Sequence, residues 1–127
     1  MTIYKIQVEE KHIEDGIPEC STGCAVAQAI DEKLSNLFHL DLLPHIVDAG
    51  HSYNLRLTDN KPSVYQTTFD GYILNEDQQK VNNFVKDFDE GKDVLPFDFN
   101  IRIHDKSVEK MIALANQEKE NFKITKC

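Results

Sequence analysis

Apolar and polar positions alternate most clearly near the two ends of the chain. Tyr4, Ile6 and Val8 share one face at period two, opposite Lys5 and Gln7, which predicts a half-buried strand over 3–8. Phe97, Phe99, Ile101 and Ile103 alternate with Asp98, Asn100, Arg102 and His104. Pro96 opens that strand, at a position where a missing N–H is tolerated. Tyr53, Leu55 and Leu57 alternate with Asn54, Arg56 and Thr58. Asp59-Asn60-Lys61-Pro62 has turn chemistry, so Val64 to Phe69 reads as the partner strand of a hairpin. After a turn at Asp70-Gly71, Tyr72 to Leu74 either adds a short strand or leads directly into a helix.

Helical spacing appears three times. Val26, Ile30 and Leu34 recur at i+4 with Ala25, Ala27 and Ala29 between them. Ser21 or Thr22 caps this helix, which runs to about Leu34. Val81, Phe84, Val85 and Phe88 form one stripe, with Asn75 as cap, Gln78 three residues on and Gly91 as terminator. A last helix runs from about Lys106 to Glu120 on Val108, Met111, Ile112 and Ala115. The charged stretch 9–19, with Gly16 and Pro18, reads as a loop. Residues 35–51 are dense in apolar side chains at neither period, and Pro44 breaks any helix there. They read as a short helical or irregular piece to Leu43, then a short strand near Ile46–Ala49. The tail 121–127 frays.

The order is β-α-(β)-β-β-α-β-α over 1–127. It predicts a single α+β domain, a two-layer sandwich of helices on a mostly antiparallel sheet that has room for one parallel pair.

Charge and cysteine content narrow the picture. Twenty-two acidic against 14 basic residues give a formal net charge of −8. That argues against direct nucleic-acid binding and against an anionic membrane surface. No apolar run approaches the roughly 18 residues of a membrane span, and the N-terminus lacks the pattern of a secretory signal. Three cysteines, an odd number, do not suit a secreted disulfide scaffold. These features predict a cytoplasmic, reduced protein.

Two stretches carry a family resemblance. One is His12-Ile13-x-x-Gly16, then Cys20-x3-Cys24 and Ala25-Val26-Ala27-x-Ala29. The other is Phe84-x3-Phe88-Asp89-x-Gly91-x2-Val94-x-Pro96-Phe97-x-Phe99. Together they resemble an uncharacterised family of small phage- and prophage-associated proteins. Ala25 stands where that pattern has proline, and 35–51 is longer than the usual connection. The resemblance implies a phage or mobile-element origin and transfers no activity or catalytic residue.

His12, Cys20 and Cys24 form the sharpest candidate constellation. Two thiolates and an imidazole are zinc-ligand chemistry, and Cys-x3-Cys falls within zinc-loop spacing. His39, His45, His51 or Glu19 would have to supply a fourth ligand. The alternatives are a structural thiol pair, a local disulfide between Cys20 and Cys24, or a nucleophile lowered in pKa at the helix start with His12 as base.

Glu14, Asp15 and Glu19 belong to an acidic group in the first loop, and Asp89 and Glu90 to a second. Asp89 and Glu90 stand at a helix C-terminus, where the macrodipole disfavours acid. Bonding to the adjacent turn around Gly91 would explain Asp89. Arg102 and His104 continue the polar row of the last strand. These seven residues are the candidate interaction surface.

The sequence favours a small acidic binding or regulatory protein, with no catalytic residues and no cofactor. It would act on a host protein partner or sequester a small ligand. One alternative is a zinc- or thiol-dependent protein built on His12, Cys20 and Cys24. Another is a homo-oligomeric structural module that uses residues 37–47 as its interface.

Overall fold

The alternating segments form strands, and every pair is antiparallel. The structure is a computed structural model and describes residues 2–50 and 52–117. His51, the expected helix beyond Gln117 and the tail to Cys127 lie outside the described residues. The fold is α+β. The antiparallel pairing is as expected, and the strands divide into two three-stranded sheets rather than one.

Strand β1 (Thr2–Val8) pairs with β6 (Phe97–Ile103), and β6 pairs with β5 (Gly71–Ile73). Strand β2 (Leu42–Asp48) pairs with β3 (Tyr53–Asp59), and β3 pairs with the two-residue β4 (Thr68–Phe69). The hairpin partner expected over 64–69 is thus mostly a single 3-10 turn, Ser63–Tyr65, with Val64 and Tyr65 exposed. Asp59 accepts a bond from the Thr67 N–H and draws the chain into that turn.

Helix α2 (Ala25–Phe38) touches both β1 and β2 and so joins the two sheets. Its alanines explain the close approach: Ala25, Ala27 and Ala29 are buried. It begins one turn later than Ser21 or Thr22 would set it, with Cys24 at the cap position. It ends four residues past Leu34, where His39 adopts a left-handed conformation and its N–H bonds the Ser35 carbonyl. Helix α3 (Asn75–Asp89) buries the expected stripe, and α4 (Asp105–Gln117) buries Met111. Phe84, Phe97 and Phe99 stack in sequence across α3 and β6, with centroid spacings of 4.6 and 5.6 Å. Among the described residues, no helix is long and apolar enough to cross a membrane.

The stretch read as a loop contains a short helix, α1 (Glu10–Asp15). Six residues are too few to hold a helix by propensity alone. Tertiary and capping contacts supply the rest. The Glu9 N–H donates to His12 Nδ1 at 2.9 Å, and His12 Nε2 lies 2.7 Å from Glu32 of α2.

One buried carboxylate gives the fold an acid dependence. Asp77, 6 % exposed, accepts the Asn100 N–H at 2.8 Å and the Asn100 amide at 3.0 Å. Lys80 Nζ stands 3.3 Å away. Burial raises the Asp77 pKa, but the Asn100 bonds and Lys80 outweigh it and hold the carboxyl below its ordinary 3.8. A depressed folded-state pKa means the charged form stabilises the fold. That stabilisation is complete above the unfolded value and is lost as pH falls through the folded one. Urea titrations of the wild type and Asp77→Asn below about pH 4 should therefore show a flatter acid decline in the variant. Parallel declines would contradict this role.

Candidate functional site

The loop between α1 and α2 is fixed along its length. Ile17 N–H donates to the Gly23 carbonyl at 2.8 Å, and Cys24 N–H to the Cys20 carbonyl at 3.0 Å. The Gln28 amide bonds the carbonyls of Asp15 and Gly23, both at 2.9 Å. Ile46 N–H donates to the Ser21 carbonyl at 2.7 Å and ties the loop to β2. Glu19 holds a left-handed φ of 59°. Its N–H donates to Asp89 Oδ1 at 2.8 Å, from the last residue of α3. The unfavourable placement of Asp89 at a helix C-terminus is thereby explained. Its partner is a strained backbone N–H 70 residues away rather than the adjacent turn at Gly91.

These contacts close one wall of a cleft of about 540 Å³. Its lining comes from four segments: the loop at 19–24, strand β2 from His45 to Asp48, Tyr53 and Arg56 of β3, and the end of α3 from Val85 to Glu90. Three of the candidate interaction residues, Glu19, Asp89 and Glu90, meet here together with Cys20 and Cys24. The other four do not line it. Glu14 and Asp15 are on α1, and Arg102 and His104 are at the far sheet. Arg102 Nη1 donates to the Tyr72 hydroxyl at 3.3 Å.

The cleft's titratable groups are perturbed in ways that follow from their neighbours. Cys24 is a free thiol, 3 % exposed, and burial pushes its pKa up to about 11. Backbone N–H groups of Ala27 and Val26 at the start of α2 pull the other way and lose to burial. The helix start therefore does not activate this thiol. His45 is half-buried, and burial and the facing Arg56 lower its pKa, which favours the neutral ring. Tyr53 is raised by burial and then by Asp48, Asp89 and Glu90. Among the described residues no ion pair engages Arg56 or Lys86, whereas Glu90 is paired with Lys92 at 2.9 Å.

His12 stands apart from the cysteines. Its nearest metal-ligand neighbours are Glu9 and Glu32, the one such grouping among the described residues. The three-residue zinc set of His12, Cys20 and Cys24 does not assemble. Cys20 is disulfide-bonded and Cys24 is free, so the two are not bonded to each other, and the expectation of fully reduced cysteines does not hold at Cys20.

The Glu9, His12 and Glu32 group is itself a poor cation site. Nδ1 accepts the Glu9 N–H, which leaves the ring proton on Nε2, facing Glu32. Coordination through Nε2 would move that proton to Nδ1, against a backbone donor. Lys11 Nζ, 2.7 Å from Glu32 and 3.6 Å from Glu9, already supplies the positive charge. The group is a clamp between α1 and α2.

The sequence offered His45 only as a fourth zinc ligand, and gave no sign that Arg56, Lys86, Tyr53 or Asp48 belong to a site. The period-two pattern placed Arg56 on the polar side of β3, but nothing local joined it to α3. Comparison with known proteins returned no match: no family model, no curated protein and no solved structure resembles the chain, so the phage-family resemblance remains an expectation from its two motifs.

Proposed function

We propose that this is a small binding protein that acts without chemistry of its own, holding a small cationic ligand in the cleft at Cys24. The observation that carries this reading is the convergence of charge. Glu19, Asp48 and Asp89 line the cleft from three separate segments, with Glu90 paired to Lys92, against the permanent cations Arg56 and Lys86. A concave site with excess charge of one sign focuses its potential on a ligand of the other. An ammonium or guanidinium group fits the Asp48 and Asp89 side, and a polar tail fits Arg56 and neutral His45. The volume lies within the roughly 300–1,000 Å³ of small-molecule sites. Cys24, the one free sulfur here, stays protonated near neutral pH, which supports binding over nucleophilic chemistry.

Amide chemical shifts recorded during titration test this reading. Spermidine, as the cationic probe, should saturate shifts clustered at Ser21, Val47, Tyr53 and Lys86. Inorganic phosphate should move none of them. Spermidine shifts scattered over the acidic surface without saturation would overturn the proposal.

A further inference from the structure

Among the described residues no strand pairs with the outer edge of β1, and its register shows which residues it offers. His104 N–H bonds the Asp70 carbonyl and Leu74 N–H bonds the Asn100 carbonyl, so the even residues of β6 face β5. The odd residues of β6 therefore face β1, opposite Thr2, Tyr4, Ile6 and Val8. The backbone N–H and C=O groups of Ile3, Lys5 and Gln7 must point away from the sheet. Among the described residues no hydrogen bond reaches them from that side.

This edge opens onto a groove of about 300 Å³ whose other wall is helix α2. Lys5 and Gln7 line the strand side, and Ala29, Lys33, Asn36 and Leu37 line the helix side. The helix runs antiparallel to the strand. Glu32 meets Lys11 and His12 just beyond the end of β1, and Phe38 stacks on Tyr4 near its start, at 6.0 Å. Lys33 and Leu37 therefore lie beside the first half of β1, whereas Glu9 and Glu32, which share Lys11, line the groove beyond its end.

We infer that this edge takes up an extended segment of a partner protein, added as a fourth strand beside β1 with an acidic side chain opposite Lys5. Main-chain bonds to Ile3, Lys5 and Gln7 would give affinity, as in other strand additions. Charge selects the occupant. The longest symmetric pairing with a second copy of this chain sets Lys5 against Lys5, a like-charge contact that protects edges from self-association. A carboxylate in the same position meets Lys5, with Lys33 across the groove. The present partner of Lys5 is Asp98 at 3.3 Å, with both side chains about half exposed, a weak surface pair that can be shared. This site is separate from the cleft and does not depend on the ligand proposed there.

Hydrogen exchange of the full chain, with added peptide, tests the inference. The probe is Val-Thr-Val-Glu-Val-Thr-Val, with a Lys-centred version as its counterpart. At saturating Glu-centred peptide the amides of Ile3, Lys5 and Gln7 should slow, while those of Tyr4, Ile6 and Val8, already bonded to β6, should hardly change. The Lys-centred peptide should bind about threefold to tenfold more weakly, and Lys5→Glu should reverse that order. Lys5→Pro removes the central outward N–H without removing a ladder bond and should abolish protection. Equal binding of the two peptides, or no selective protection of the odd residues, would overturn the proposal. So would protection that grows with protein concentration alone, which would make the occupant a second copy.

Discussion

Phe99→Ala should cost about 3–5 kcal/mol, a large share of the roughly 5–15 kcal/mol that holds a domain of this size. Phe99 is 0 % exposed and sits on the central strand of its sheet, opposite Ile6 of β1 and stacked on Phe97. Phe97 is its aromatic neighbour and is itself stacked on Phe84, so it cannot move into the vacancy without giving up that contact. The cavity therefore stays largely open and the penalty falls near the top of the range for such deletions. Thermal unfolding followed by circular dichroism should show the midpoint falling by roughly 10–20 °C. A fall of only a few degrees would mean that this aromatic row is not the centre of the core.

Gly16→Ala should be nearly as damaging, for a different reason. The backbone at Gly16 is extended, with φ −69° and ψ 146°, so alanine has no conformational objection there. The obstacle is space. A Cβ would lie 2.8 Å from Ala25 N, from the His12 carbonyl oxygen and from Phe88 Cζ. Two of these are backbone atoms of α1 and α2, which cannot step aside without parting the two helices. Overpacking of this kind costs about 1–3 kcal/mol, and two backbone clashes place Gly16→Ala at the upper end. Gly91→Ala is the informative control. Gly91 has φ 78°, yet among the described residues nothing lies within 4 Å of its Cβ position. Denaturant titration should show Gly16→Ala to be the more destabilising of the two, against the order that backbone torsion alone would give. Because Gly16 opens the loop that walls the cleft, the same substitution should also disturb the Ser21 and Cys24 amides.

The elements that were legible from sequence are those with one wet and one dry face. Strands β1 and β6 and helix α3 declare their periods because only half of each is buried. Strand β2 gives no such signal. Leu42, Leu43, Pro44 and Ile46 are all buried, so both faces are apolar and the alternation vanishes. Pro44 sits on the edge strand of its sheet, the place where a missing N–H costs least. Helix α1 was illegible because its stability comes from His12 and Glu32, which are 20 residues apart.

The cleft was legible only in fragments. An acid at the end of α3 marked Asp89 as unusual, and the reason is a long-range bond to Glu19 that no local pattern encodes. The cysteines at the start of α2 were visible as chemistry. The burial that silences Cys24 depends on how the loop and β2 pack, which the spacing does not carry. Arg56 and His45 are opposite each other across a strand pair whose register follows from the hairpin at 48–53. Once β2 is recognised as a strand, that contact follows.

The cleft is expected to hold a small ligand. Native mass spectrometry of the protein purified from the organism that encodes it tests that claim most directly, with Val47→Trp run in parallel. Val47 lines the cleft and is 40 % exposed, so tryptophan there fills the site without entering the core. A small-molecule mass excess on the wild type that is absent from Val47→Trp is the predicted result. A wild-type chain that carries no ligand, or an excess that persists in the variant, would contradict it.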